Sequence, residues 1–235
     1  MSIAISKLLR NLNSNSKMIA EEIQRIVADL PQGVRLVAVS KYHPSEAIRE
    51  AWAAGQRLFG ESHAQELHRK TEELADLDVE WHFIGHLQTN KVKYIAPYVH
   101  LIHSVDSPRL LAEIDRQGQK VGRSIPCLLQ LHVAAEETKF GFTPDEAMTF
   151  LEEGTWRQMQ GVRLAGVMAM ASNTDDTRRI RDDFHRARLF FEEVRPQIAG
   201  FSELSMGMSG DWHIAVDEGS TLIRIGTQIF GERSY

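Results

Sequence analysis

With 235 residues, 43% of them hydrophobic and 25% charged, the chain is long enough to bury a large core, and its even composition predicts one domain over residues 1–235. A net charge of −5, with Lys and Arg spread along the chain, gives no basic field and argues against nucleic-acid binding. No stretch has the pattern of a signal peptide or a membrane span, which predicts a cytoplasmic protein that does not contact a membrane.

Two periodicities alternate along the chain after a leading helical segment over residues 1–31. In that segment, apolar residues recur at three- and four-residue steps until Pro31-Gln32-Gly33, which predicts one or two helices. Beyond it, short apolar runs predict strands, and Pro, Gly and polar capping residues delimit helices. The predicted strands cover residues 34–41, 57–61, 79–85, 101–105, 125–133, 162–170, 203–208 and 221–230, and the predicted helices cover 44–54, 64–77, 89–99, 108–118, 144–153, 174–196 and 211–218.

Some local signals are sharper than the rest. Thr143-Pro144-Asp145-Glu146 combines a Thr N-cap, a Pro at the first helical position and a Glu that completes a capping box. The charges at positions 178, 179, 181, 182 and 183 predict a solvent-exposed face on the long helix that contains them. Cys127, the only cysteine, lies in an apolar run, where a buried and inert thiol is expected.

The order of these elements predicts the fold class. Eight strands, each separated from the previous one by a helix, imply parallel pairing. At this length, eight parallel strands favour a closed (β/α)₈ TIM barrel with a leading N-terminal helix. A doubly wound open sheet is the alternative, although no Gly-x-Gly-x-x-Gly follows the first strand.

The ends of three predicted strands carry the candidate site. The first strand is an apolar β-branched run that ends on Lys41, so it delivers an amine to the C-terminal end of the barrel. The turn over Ser205–Gly210 and the pair Gly226-Thr227 are small-residue stretches whose backbone N–H groups suit a phosphate. An amine beside a phosphate-binding turn predicts a phosphorylated aldehyde as ligand. Arg224, inside the last apolar run, must face outward or meet an acceptor inside the barrel.

Other reactive residue types have simpler explanations. His82 and His86 span a strand and its loop, without a carboxylate or cysteine cluster, so structural roles are favoured and no metal site is predicted. Ser209 is not in a Gly-x-Ser-x-Gly turn, which leaves a hydrolase nucleophile without support. The loop around Lys139 is interpreted as a surface loop.

Several ordered motifs resemble those of the pyridoxal 5′-phosphate homeostasis family, the YggS/PROSC proteins, whose fold is like the N-terminal barrel of alanine racemase. The resemblance covers nearly the whole chain after the first helix. One departure is Ser62-His63, where the family usually has Asn-Tyr, which puts an asparagine contact to the cofactor ring in question. The matching stretches are 39–41, 59–61, 81–91, 137–141, 204–209 and 224–231.

The resemblance implies a cofactor and a function. Lys41 would carry pyridoxal 5′-phosphate as a Schiff base, and Arg224 would lie near the pyridine nitrogen. The phosphate would be held by Ser209, Gly226 and Thr227, and Ser205, Gly207 and Met208 are further expected cofactor-binding residues of the turn that contains Ser209. The implied role is vitamin B6 homeostasis with little or no catalysis, as a monomer that supplies cofactor to PLP-dependent apoenzymes.

Two enzymatic alternatives remain open. A PLP-dependent amino-acid racemase would need a base opposite Lys41, and no residue of the sequence can be nominated for it. A phosphosugar aldolase with a Schiff-base lysine fits the barrel and the phosphate turns, although such lysines typically lie on later strands.

Overall fold

Eight parallel strands close into a barrel in chain order, and the last strand pairs back onto the first, β1 (Arg35–Val39). The computed structural model of the protein describes residues 18–136 and 140–232. The TIM barrel expected from strict alternation is therefore confirmed, and the doubly wound open sheet is wrong. Parallel pairing places the end of every strand, including the end of β1, at one mouth of the barrel.

The observed elements agree with most of the predicted ones to within a few residues. The strands are β1 (Arg35–Val39), β2 (Leu58–Glu61), β3 (Glu80–Phe83), β4 (Leu101–Val105), β5 (Ile125–Leu131), β6 (Val162–Ala169), β7 (Glu203–Ser205) and β8 (Leu222–Ile225). The helices are α1 (residues 18–29 of the described chain), α2 (Ser45–Ala53), α3 (Ala64–Glu73), α4 (Val92–Ile95), α5 (Pro108–Lys120), α6 (Pro144–Glu153), α7 (Thr177–Val194), α8 (Trp212–Asp217) and α9 (Thr227–Phe230). Short 3-10 turns occupy Thr89–Lys91, Thr155–Gln158 and Arg195–Gln197.

The helix α1 shows how the leading segment meets the barrel. Ile19, Ile23 and Ile26 follow one another at four- and three-residue steps, and all three are buried in the main core. This part of the leading helical prediction is confirmed, whereas residues 1–17 lie outside the described part of the chain.

The core has two layers, as a filled barrel requires. A small cluster inside the strands contains Val37, Leu128 and Met168, and a larger one fills the space between strands and helices. Cys127 is fully buried in the outer layer, and this burial raises the pKa of its thiol, so it is the inert cysteine that the sequence predicts.

The start of α6 confirms the capping prediction. Thr143 Oγ1 accepts from the backbone N–H of Glu146, and the Glu146 carboxylate accepts from the backbone N–H of Thr143. Gly154 ends the helix in the left-handed conformation, at φ 72°, which a glycine adopts without steric cost. Local chemistry alone thus defines both ends of this helix.

Two local predictions are wrong. The last strand was expected to run to Phe230, but β8 ends at Ile225 and the next residues form α9. Asp183 was expected on an exposed helix face, but it is fully buried and accepts from the backbone N–H and the hydroxyl of Ser172. The spacing of charged residues along a helix identifies its exposed face only on average. A single charged side chain can be buried where it finds hydrogen-bond donors in the interior.

No helix among the residues that the structure describes is both long enough and apolar enough to span a membrane.

Candidate functional site

Lys41 follows the buried strand β1 at the mouth of the barrel. Val37, Ala38 and Ser40 are fully buried, and Lys41 is half-buried. The next residue, Tyr42, has φ 67°, the left-handed conformation that side chains other than glycine rarely adopt. Such backbone strain persists only where neighbouring contacts hold it, and it is common at functional sites.

A buried ion cluster holds the backbone on both sides of Lys41. Lys70 Nζ donates to the Ser40 carbonyl at 2.9 Å and to the carboxylates of Glu61 and Glu66, each at 2.8 Å. Glu66 also accepts from the backbone N–H of Tyr42 at 2.8 Å, and Glu61 accepts from Ser40 Oγ at 2.6 Å. Residues 40 and 42 are thus fixed to one cluster, which orients the turn that carries the lysine.

The cluster contains two carboxyl groups, Glu61 and Glu66, and one ammonium group, Lys70. Glu61 and Lys70 are both fully buried, and burial raises the pKa of the Glu61 carboxyl to about 7 although the Lys70 ammonium lowers it. Oε1 of Glu61 carries its hydrogen bonds, whereas Oε2 has no partner among the described residues. A proton on Oε2 near neutral pH relieves part of that burial cost.

The turn after β7 has a backbone that requires glycine. Gly207 has φ 94°, and a Cβ there would lie 2.7 Å from the Ala215 side chain and 2.8 Å from Trp212 Cα. The backbone N–H of Met208 donates to the Asp211 carboxylate at 2.6 Å, which closes the turn. A Cβ on Gly210 would meet nothing within 4 Å, so this part of the turn faces open space.

The chain after β8 approaches the same place. Gly226 packs so closely on β1 that a Cβ would lie 3.0 Å from the carbonyl oxygen of Val39. The helix α9 then begins at Thr227, and the Gly226 carbonyl accepts from the amides of Ile229 and Phe230, which leaves the amides of Thr227 and Gln228 without an acceptor in the helix. The early end of β8 therefore places backbone N–H groups, in addition to the Thr227 hydroxyl, at the mouth.

Arg224 is the cation that meets acceptors inside the barrel. It is 5% exposed, and it donates to Ser205 Oγ at 2.5 Å and to the Ala169 carbonyl at 3.1 Å. Burial lowers the pKa of the guanidinium to about 10, while Asp211 opposes that shift. Arg224 therefore stays charged at neutral pH.

A cavity of about 310 Å³ joins these features, which is enough space for a small ligand. Its polar side chains are the amine of Lys41, a guanidinium, two hydroxyls and the imidazole of His43, a set that fits an aldehyde with an attached phosphate. Of the predicted site residues, Ser205 and Gly207 do not line this cavity: Ser205 lies below it against Arg224, and Gly207 lies in the turn behind it. Those that do are Lys41, Met208, Ser209, Arg224, Gly226 and Thr227.

The histidines take structural positions. His82 is buried and bonds His103 at 2.8 Å, while His86 is exposed and lies 3.1 Å from the Asp106 carboxylate. Within residues 18–136 and 140–232, no group of three or more His, Cys, Asp or Glu residues could hold a metal ion. His63, at the departure from the family pattern, packs on Tyr42 at 5.3 Å and does not line the Lys41 cavity. Lys139 lies outside the described residues.

Sequence reasoning missed the residues that support the site. Lys70 and Glu66 lie on a charged helix, where burial of one lysine leaves no periodic signal. His103 alternates with apolar residues on β4 and contacts Ser205, which is 102 positions away. Only the pattern of a charged or polar residue inside an apolar strand, shared by His103 and Arg224, marks a position that must find partners inside.

Comparison with known proteins agrees with the geometry. Residues 14–234 match the family model for the alanine racemase N-terminal domain. A pyridoxal phosphate homeostasis protein of Aquifex aeolicus is 38% identical over 221 residues, which cover 92% of this chain and 96% of that one. A protein of the same name from Pseudomonas aeruginosa is 37% identical, with 98% of each chain covered. The structure of PipY of Synechococcus elongatus with PLP bound superposes with a TM-score of 0.83 at 42% identity, covering 91% of this chain and all of PipY.

Proposed function

The chain belongs to the family of the alanine racemase N-terminal domain and, within it, to the pyridoxal phosphate homeostasis proteins, and from this premise we propose that its mouth cavity holds pyridoxal 5′-phosphate. The protein binds this cofactor and acts in its homeostasis. The observation that carries the proposal is the convergence of Lys41, Arg224 and two hydroxyls on one cavity of about 310 Å³.

Lys41 supplies the covalent anchor in this proposal. Its amine would hold the cofactor through the aldehyde, as a Schiff base formed with release of one water, and a lysine side chain held at a fixed place on the cavity wall suits this role. The contacts of Lys70 and Glu66 to the backbone of residues 40 and 42 provide that fixed place.

The phosphate lies between the two turns. Ser209 and Thr227 line the cavity with their hydroxyls, and the amides of the Ser209-Gly210 turn and of Thr227 at the start of α9 add further donors. Gly207 acts indirectly, because it allows the turn its conformation, and Met208 closes the apolar side of the cavity.

Arg224 tunes the cofactor ring. When bound, pyridoxal phosphate supplies an electron sink, whose strength depends on protonation of the ring nitrogen. A charged Arg224 beside that nitrogen keeps it unprotonated, because two cations in contact repel. Ser205 holds Arg224 in place from below through its 2.5 Å hydrogen bond. This arrangement weakens the sink and favours binding over catalysis.

Titration of the cofactor-free protein with pyridoxal phosphate tests the proposal. We expect a visible absorption band to appear at one equivalent in the wild type and to be absent in Lys41→Ala, which retains only non-covalent binding. A matched control is Lys91→Ala, because Lys91 does not line the cavity. An unchanged band in Lys41→Ala would show that the covalent site lies elsewhere.

The racemase alternative makes a different prediction. A second base is required to return a proton to the opposite face of the substrate, and we propose that His43, the one imidazole in the described lining of the cavity, does not serve as that base. Incubation of the loaded protein with L-alanine or L-serine should leave the enantiomer ratio unchanged. Turnover at about 1 s⁻¹ or faster, lost in Lys41→Ala, would instead establish a racemase.

We further propose PLP-dependent apoenzymes as the recipients of the bound cofactor. Transfer can be followed as the gain of activity of an apoenzyme mixed with the loaded protein in the presence of a scavenger for free cofactor. Activation no faster than scavenging would argue against direct delivery.

A further inference from the structure

A chain of polar side chains crosses the interior of the barrel. Below the mouth cavity, Arg224 donates to Ser205 Oγ at 2.5 Å, and Ser205 Oγ lies 2.9 Å from His103 Nδ1. His103 Nε2 in turn lies 2.8 Å from His82 Nδ1. These four side chains come from β3, β4, β7 and β8, and each is at most 5% exposed. They form a continuous polar path from the mouth cavity towards the N-terminal end of the barrel.

The donors in this chain all point in one direction. A guanidinium has only donors, so Ser205 Oγ accepts from Arg224. Among the described residues, the proton of this buried hydroxyl has one acceptor within reach, His103 Nδ1, and we assign the bond in that direction because the reverse would leave the Ser205 O–H unpaired. His103 then carries its proton on Nε2 and donates it to His82 Nδ1. Burial lowers the pKa of His82 to about 3 and that of His103 well below its usual value, so both rings are neutral. It follows that His82 carries its proton on Nε2.

That last donor has no acceptor. His82 is 1% exposed, and its Nε2 has no hydrogen-bond partner among the described residues. An unpaired buried N–H costs free energy, and native structures provide nearly all such groups with an acceptor. The ring lines a cavity of about 120 Å³ at the N-terminal end of the barrel, opposite the mouth. The missing acceptor belongs in this cavity.

The cavity walls carry positive charge. Arg35 and Arg163 line it at the starts of β1 and β6, and His100 stacks on His82 with ring centroids 5.9 Å apart. Glu203 also lines the cavity, but its oxygens accept from Arg35 and Thr221. Arg163 is exposed, and although its backbone belongs to β6, its guanidinium has no hydrogen bond or ion pair within residues 18–136 and 140–232. One guanidinium is therefore available for an added anion.

We propose that the cavity at the N-terminal end of the barrel is a second binding site, which takes a small oxyanion such as a carboxylate or inorganic phosphate. The oxyanion accepts from His82 Nε2–H and pairs with Arg163. The active sites of TIM barrels lie at the C-terminal mouth, whereas residues at the N-terminal end usually serve stability. A ligand site at the N-terminal end is therefore separate from the mouth cavity. The inference does not rest on the proposed function, since none of the groups that touch the oxyanion lines the Lys41 cavity.

Nuclear magnetic resonance of the ¹⁵N-labelled imidazoles tests this site directly. Sodium formate and inorganic phosphate are titrated into the protein saturated with pyridoxal phosphate, with sodium chloride as the ionic-strength control. We expect a saturable shift of the His82 Nε2–H signal with formate or phosphate, and none with chloride. Arg163→Gln should weaken the binding by about tenfold, as loss of one charge-assisted hydrogen bond predicts. Arg109→Gln, another exposed arginine outside the cavity, should leave it unchanged.

His82→Leu removes the buried donor, so formate and phosphate should no longer give a saturable shift of the ring signals of His100, which lines the same cavity, and Arg163→Gln keeps the test valid if that variant does not fold. No saturable shift with either anion would mean that the cavity holds only water, and would overturn the proposal. A phosphate response that survives Arg163→Gln but is lost in Ser209→Ala would place the anion at the mouth and overturn it equally.

Discussion

Lys41 and Lys70 both lie at the turn that follows β1, and their surroundings differ completely. Lys70 is fully buried and donates hydrogen bonds to Ser40, Glu61 and Glu66. Lys41 is half-buried and lines a cavity whose other polar side chains are a guanidinium, an imidazole and two hydroxyls, with no carboxylate among them. Only the second environment leaves room for an aldehyde beside the amine.

The comparison teaches that burial alone does not make a lysine reactive. Low polarity favours the neutral amine, but a carboxylate within hydrogen-bond distance favours the ammonium and occupies its protons. Lys70, paired with Glu61 at 2.8 Å, is therefore a structural cation. Its contribution to the site is to fix residues 40 and 42, and thereby to orient Lys41.

The largest expected effect is on stability. Lys70→Met removes one partner of a buried ion cluster and leaves Glu61 enclosed without its cation. We expect a loss of about 3–5 kcal/mol in the free energy of unfolding, reduced where Glu61 takes up a proton. Lys41→Met should change it by less than about 1 kcal/mol. Urea unfolding of both variants measures the difference, and equal losses would contradict the assignment of Lys70 as the structural lysine.

Removing the proposed phosphate ligands should affect only the site of Lys41. Each hydroxyl bound to a phosphate contributes roughly 1.5–3 kcal/mol. The double variant Ser209→Ala/Thr227→Ala should therefore weaken cofactor binding by about one to four powers of ten, without a matching loss of stability. Thr155→Ala, at an exposed threonine outside both cavities, is the control. Full affinity in the double variant would place the phosphate elsewhere.

The pH dependence of folding should sharpen the contrast further. Since the pKa of Glu61 is raised to about 7 in the fold, the native state holds a proton that the unfolded chain releases near pH 4.5. This stabilising contribution is complete below pH 4.5 and is lost as the pH rises towards 7, with a slope of up to about 1.4 kcal/mol per pH unit.

Glu61→Gln should remove that component, so the difference in unfolding free energy between wild type and variant should change between pH 5 and 7. Urea midpoints measured across this range test it. A constant difference would mean that Glu61 is ionised throughout and that its burial is compensated in full by Lys70.

The smallest expected effect concerns the cofactor ring. Arg224→Glu replaces a cation with a group that can share a proton with the pyridine nitrogen, so the absorption spectrum of the bound cofactor should shift. Lys91→Glu makes a similar charge change outside the cavity and should leave the spectrum unchanged. If a folded Arg224→Glu protein gives the wild-type spectrum, Arg224 does not face the ring.

The fold followed from the sequence because it depends on a repeated pattern. Eight apolar runs separated by helix signals define a parallel barrel, and Lys41 at the end of the first run then lies at the mouth by topology alone. The helix α9 was missed because the apolar run of the last strand resumes after Gly226 and Thr227. Only the tertiary contact between Gly226 and Val39 shows where the strand ends.

The interior of the site could not be read in the same way. Ser205 begins a small-residue stretch of the kind that binds phosphate, yet its side chain accepts from Arg224 inside the barrel. Its position at the end of a strand does not show on which side of the backbone the side chain lies. The contact between His82 and His103, and the contacts of Lys70 to Ser40 and Glu66, depend on packing between distant segments. Such pairs leave no local periodicity in a single sequence.

Borohydride reduction of the protein loaded with pyridoxal phosphate, followed by peptide mapping, tests the central claim that Lys41 and not Lys70 carries the cofactor. We predict that reduction bleaches the visible band and leaves one reduced adduct, on the peptide that contains Lys41, with Lys70, Lys91 and Lys139 unmodified. An adduct on any other lysine, with Lys41 recovered intact, would contradict the account.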